Sequence, residues 1–212
     1  MSPRKDAKDP TAATKAALLE AARTEFAAYG VAGARVDRIA ERAGVNKERI
    51  YGHFGSKEKL FDTVIKSAMD EVAAAVALPG KDPAEYVSNL FDFYSTHPDL
   101  VRLLMWEALH YRGEDDLLPG QELRVDKCRS KTESLAEGLG REPDVSVARM
   151  VFTLVGMAMW PSVMPQLARI TVGEEAATPE GREALREHLV AFVRAAVEGR
   201  AGDGLSAVGG RP

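Results

Sequence analysis

Two basic side chains, Lys47 and Arg49, stand two residues apart just after Asn46, a good helix-capping residue. Arginine presents a planar fork that matches the O6/N7 edge of guanine, and lysine offers a point charge to a base edge or a phosphate. On a helix whose N-terminal part enters a major groove, such a pair reads sequence. Further on, Lys57 follows Ser56 at the start of a second helical pattern, where unsatisfied backbone N–H groups and an ammonium together make a phosphate site. Phosphate contacts there would set register without carrying sequence information.

The elements needed to hold these groups are written around them. Ile39, Ala40 and Ala43 share one side of a short helix over 36–43, and Gly44 takes the left-handed conformation that ends it. Val45 plugs the turn. Asn46 caps a helix over 47–53 whose inner face is Ile50, Tyr51 and Phe54, leaving Lys47, Glu48, Arg49, Gly52 and His53 outward. Glu48 suits the positive end of the helix dipole and either stabilises the helix or accepts from a cytosine amine. Ser56 caps a long helix over 56–77 with Leu60, Phe61, Val64, Ile65, Ala68, Met69 and Val72 on one stripe.

The order Ile39-Ala40, Ala43-Gly44-Val45, Lys47, Ile50-Tyr51, His53-Phe54 and Ser56-Lys57-Glu58-Lys59-Leu60-Phe61 resembles the DNA-binding domain of TetR-family transcriptional regulators, over residues 14–65. The resemblance implies that Tyr51, His53 and Lys57 touch phosphates while Lys47 and Arg49 face the groove. For Tyr51 the residue pattern also allows a packing role beside Phe54, since a tyrosine can bury its ring and still present its hydroxyl. The chain departs from the family at Arg35 and Val36, where threonines are usual, at Glu48, where a small residue is common, and at Arg49, where threonine is common. These departures bear on the operator and not on the fold; Arg35 is counted among the DNA contacts.

A length of 212 residues with 45% apolar content suits one small and one larger domain. No run of about 18 uninterrupted apolar residues occurs, and the N-terminus is charged with no apolar segment behind it, so a cytoplasmic protein without a membrane anchor is expected. Cys128 is a lone cysteine, and no Cys/His cluster has zinc spacing; neither metal nor cofactor is implied. The net charge of −4 divides unevenly: residues 1–60 hold 12 Lys/Arg against 8 Asp/Glu, a net of +4, leaving 16 against 24, a net of −8, for residues 61–212. Basic surface is concentrated where the reader lies. Residues 1–11, with Arg4, Lys5 and Lys8, read as a disordered arm, and residues 199–212, with five glycines, as a disordered tail.

The fold class is all-α: a three-helix DNA-binding domain over 12–55 and a larger helical ligand-binding and dimerisation domain over 56–198. Nine helices are predicted, at 12–29, 36–43, 47–53, 56–77, 83–95, 98–112, 120–139, 144–160 and 179–198. Asp82, Pro83 and Glu85 form a helix start, and Pro98 opens the next. The 144–160 helix is apolar nearly all round (Val147, Met150, Val151, Phe152, Leu154, Val155, Met157), so it must be covered on every face. The resemblance implies that it joins 179–198 in a four-helix homodimer interface.

Large side chains on 83–95 and 98–112 either line a cavity or fill it. Asn89, Tyr94, Trp106, His110, Cys128, Met157 and Trp160 are the candidate lining residues for a small-molecule effector. Trp160-Pro161-Ser162-Val163-Met164-Pro165 is expected to kink or end its helix, and by the resemblance a pocket would open near this break. Glu107 and His110 make one Glu-x-x-His, but a di-iron bundle needs a second such motif and two more glutamates. Gly-x-Ser-x-Gly, P-loop and dinucleotide fingerprints are missing, and no catalytic residue is assigned. The reading is a homodimeric transcriptional regulator, a ligand-responsive repressor on double-stranded palindromic DNA. An activator or ligand-independent DNA-binding protein of the same fold is the alternative, and a helical metalloenzyme the distant one.

Overall fold

The computed structural model describes residues 10–80, 82–110, 118 and 120–206, and the described residues contain helices and no strand. The sequence expectations for residues 1–9, Tyr111 and 207–212 lie outside them. The helices are α1 (Pro10–Gly33), α2 (Val36–Ala43), α3 (Lys47–Phe54), α4 (Lys57–Ala75), α5 (Pro83–Thr96), α6 (Pro98–His110), α7 (Gln121–Gly138), α8 (Val145–Val163), α9 (Pro165–Val172) and α10 (Pro179–Ser206). A 3₁₀ turn, Glu174–Ala177, precedes α10.

Packing divides the chain into two compact units. The first runs up to Glu71 and takes in the segment from Asp99; the second holds Val72–Pro98 and the chain from Gly120. The division therefore falls later than the expected boundary at 55/56. The reason is apolar: Leu60, Phe61, Val64 and Ile65 of α4 and Leu103 of α6 complete the core begun by Leu18, Phe26, Ile39 and Ile50. Phe26 and Phe61 meet edge to face with ring centroids 5.2 Å apart.

Gly30 interrupts α1 with φ 63° and ψ −175°, a conformation open in practice to glycine alone. A Cβ built there would lie 2.7 Å from the Trp106 ring, and that indole donates to the Ala27 carbonyl at 3.3 Å. Trp106 was expected to line a pocket in the larger domain. It instead packs into the core of the first unit, because the break in α1 opens a seat for the ring.

In the second unit α5 is buried on most of its faces, with Tyr86, Val87, Leu90, Phe91, Phe93 and Tyr94 covered by α8 and α10. Asp82 caps α5 by accepting from Ala84 N at 3.0 Å and Glu85 N at 2.9 Å. α8 runs through Pro161 to Val163 instead of ending at 160. The proline lies close enough to the C-terminus that only one backbone bond is lost. Pro165 then opens α9, a helix not predicted from sequence, at a position where its missing N–H costs nothing. α10 continues to Ser206, past the expected end at 198, so the segment 199–206 is helical where a disordered tail was expected.

Candidate nucleic-acid interface

The α2–α3 pair is built by its caps. Gly44 is left-handed (φ 67°, ψ 33°), and two hydrogen bonds close α2: Val45 N–H to Ala40 O at 3.0 Å and Gly44 N–H to Glu41 O at 3.1 Å. Val45 packs on the core cluster, fixing the angle of entry into α3. Asn46 Oδ1 accepts from Arg49 N at 3.0 Å, so α3 starts where its cap says it should. Ile50 is buried and Phe54 half-buried. Tyr51, assigned to the inner face, is 42% exposed.

The basic residues differ in what already holds them. Arg49 is exposed, and among the described residues its guanidinium makes no hydrogen bond or ion pair. Lys47 Nζ lies 2.9 Å from Asp37 Oδ1; the hydrogen bond it donates to that carboxylate raises the ammonium's pKa above its ordinary value. Lys57 is half-buried, and its Nζ donates to Ala34 O at 3.4 Å, leaving two further donors for a phosphate. Ser56 Oγ accepts from Lys59 N at 3.2 Å, the expected cap at the start of α4. His53 is exposed on the last turn of α3, edge to face with Phe54. Arg35 is exposed, 4.0 Å from Asp37.

A support not foreseen from sequence holds this surface. Glu25 is 2% exposed and accepts from Arg35 N at 2.9 Å and Arg38 Nε at 2.8 Å, tying α1 to the start of α2. Arg38 also lies over the Tyr29 ring, 4.5 Å from its centroid. Glu25 continues the stripe of Leu18, Ala21 and Ala22, so a carboxylate at a core position was the available signal. Burial pushes this carboxyl up, but the bonds from Arg38 and Arg35 outweigh it and hold the group below its ordinary value of 4.5. A depressed carboxylate adds stability above the unfolded value and loses it as pH falls through the folded one. Glu25→Gln is therefore expected to flatten the acid limb of a stability-versus-pH curve below about pH 4.5. An unchanged acid limb would remove Glu25 as its source.

Arg23 is a second such node, bonded to Glu71 at 2.6–2.7 Å and to Asp99, so that α1, α4 and α6 share one guanidinium.

The sites proposed for the larger domain are dispersed. Tyr94, 4% exposed, lines a cavity of about 290 Å³ formed by α5, the end of α8, α9, the 3₁₀ turn and α10. Met157 lines a surface groove between α8 and α10. Asn89, His110, Cys128 and Trp160 are exposed and line neither. Among the described residues no three His, Cys, Asp or Glu side chains converge as a metal site would require.

A capped two-helix reader with an outward basic face on an all-helical chain defines a DNA-binding transcriptional regulator of the helix-turn-helix class. The family model of bacterial regulatory proteins of the tetR family matches residues 18–64, and that of the tetracycline repressor-like C-terminal domain matches residues 82–195. The chain belongs to the TetR family.

It is 37% identical over 195 residues to the HTH-type transcriptional repressor SCO4008 of Streptomyces coelicolor, covering 91% of this chain and 98% of that one. Among solved structures, the transcriptional regulator SCO4942 of Streptomyces coelicolor superposes with a TM-score of 0.68 at 32% identity, covering 85% of this chain and 96% of the other. AibR in complex with isovaleryl coenzyme A and operator DNA shares the fold, with a TM-score of 0.60 at 18% identity, over 85% of this chain and 97% of its own.

Proposed function

We propose that this chain is a homodimeric repressor that inserts α3 into the major groove of each half of a palindromic operator and releases it when a small molecule binds the second unit. The observation that carries the reading is the outward face of α3, where Arg49 stands with no partner among the described residues beside a Lys47 already oriented by Asp37. Arg49 reads a base, guanine by the fit of its fork. Tyr51, His53, Lys57 and Arg35 flank it as phosphate contacts.

Dimerisation follows from α8 and α10. Phe152 is 82% exposed and Phe192 56%, and Phe192 lines a groove of about 420 Å³ between the two helices together with Met150, Leu154, Met157, Val193 and Val197. α8 is also long and apolar enough to cross a membrane by length and composition, although Arg149 and several hydroxyl residues interrupt it. A second copy of α8 and α10 accounts for this apolar face in a cytoplasmic protein, and no catalytic role is assigned to the chain.

The test is selection of bound duplexes from a random library, read against a salt titration. Recovery of one palindrome supports the reading; binding without a motif that fades with salt overturns it. On the selected operator, Arg49→Ala is expected to cost about 1–3 kcal/mol while binding to random DNA changes little. Equal losses on both would remove the base-reading role.

A further inference from the structure

The cavity behind the Trp160–Pro165 break is furnished as a ligand site. Its walls are apolar: Phe91 from α5, Pro161 from the end of α8, Ala168 from α9, Ala177 from the 3₁₀ turn and Leu185 from α10. Set among them are the hydroxyls of Tyr94, Ser95 and Ser162 and the guanidinium of Arg182. None of these four groups makes a hydrogen bond or ion pair among the described residues. Tyr94 is only 4% exposed, yet its hydroxyl is not among the fully buried unpaired polar atoms, so it is left with an open face toward the cavity it lines. Burial also raises its hydroxyl pKa, so it stays a donor across the physiological range.

The neighbouring Arg169 is already satisfied by Glu174, which stands well out in solvent. Arg182 is thus the open cation of the cavity. The wall carrying Glu174 is held closely: Thr178 Oγ1 accepts from Gly181 N at 3.0 Å, and a Cβ at Gly181 would fall 1.9 Å from the Glu175 carbonyl. The 3₁₀ turn therefore seats directly on the first turn of α10.

We propose that this cavity is the effector site of the repressor described above, and that its ligand is a small organic carboxylate with an apolar body. The acid end meets the Arg182 fork, which binds a carboxylate with two parallel charge-assisted bonds. The body lies against Phe91 and Leu185, and Tyr94 donates to an acceptor along it. A volume of about 290 Å³ is at the lower edge of the range for small-molecule pockets, which selects a single ring or a short chain.

The proposal rests on the regulator reading, and one experiment separates the two. The full chain is titrated calorimetrically with benzoate and with hexanoate, and with benzamide and hexanamide as uncharged counterparts, while operator affinity is measured on the same samples. Fragments of this size bind at roughly millimolar Kd. Saturable binding of at least one acid, with its amide about tenfold weaker or worse, is expected, together with loss of about tenfold in Arg182→Gln and a smaller loss in Tyr94→Phe. Acid binding that is missing, matched by the amide, or untouched by Arg182→Gln overturns the cavity proposal. Failure of the ligand-free chain to hold any operator would instead overturn the regulator reading and leave the calorimetric result to decide the cavity alone.

Discussion

In the proposed dimer, Phe152→Glu is expected to leave a monomer at micromolar concentrations and to weaken operator binding by roughly 100-fold or more. The side chain is 82% exposed on a largely apolar helix, and burying it fully against a second copy would contribute about 1.5–3 kcal/mol. The substitution removes that contribution and places an unpaired carboxylate where water must be excluded, which costs several kcal/mol more. The operator loss follows because two linked readers hold a palindrome through an effective concentration that a single reader lacks. Sedimentation velocity gives the oligomeric state and titration of labelled duplex gives the affinity. Since Phe152 is already exposed on the single chain, thermal unfolding of the monomer should change little, which separates lost association from lost folding. A Phe152→Glu protein that still sediments as a dimer would move the interface elsewhere.

Gly30→Ala is expected to destabilise the DNA-binding unit by about 2–6 kcal/mol, which combines two costs. A side chain at φ 63°, ψ −175° is strained by roughly 1–3 kcal/mol, and the new methyl at 2.7 Å from the Trp106 ring must displace it, an overpacking cost of about 1–3 kcal/mol. Chemical denaturation followed by the tryptophan signal would measure the sum. The double variant Gly30→Ala, Trp106→Leu should recover the packing part and leave the backbone part, so the two positions should couple in a double-mutant cycle. A single variant within about 1 kcal/mol of the parent would mean that the backbone at residue 30 is not in this conformation.

Much of the reader was legible in the chain because its constraints are local. Gly44, Asn46, Ser56 and Asp82 each act through hydrogen bonds within a few residues, so cap chemistry placed the helix boundaries around them within a residue or so. Period-3.6 patterning put Ile39, Ile50, Leu60 and Phe61 in one core for the same reason. What failed was non-local. Trp106 belongs to the first unit because Gly30, 76 positions earlier in the chain, leaves a seat for it, and no periodicity within α6 encodes that. The break expected over Trp160–Pro165 does end α8, but three residues past the expected 160, at Val163, and a new helix opens at Pro165.

By itself, then, the sequence determined the helical class, the caps and turn of the reader, the outward placement of Lys47 and Arg49, and a charge division that sets basic surface at one end. These depend on spacing and short-range bonding alone. The tertiary structure decided which groups are spoken for: that Lys47 is held by Asp37 and Arg49 by none among the described residues, that Glu25 is buried under two arginines' donors, and that Tyr94 meets a cavity while Trp106 meets a glycine. Partnership and burial arise from residues far apart in the chain, so they exist only once the helices have packed.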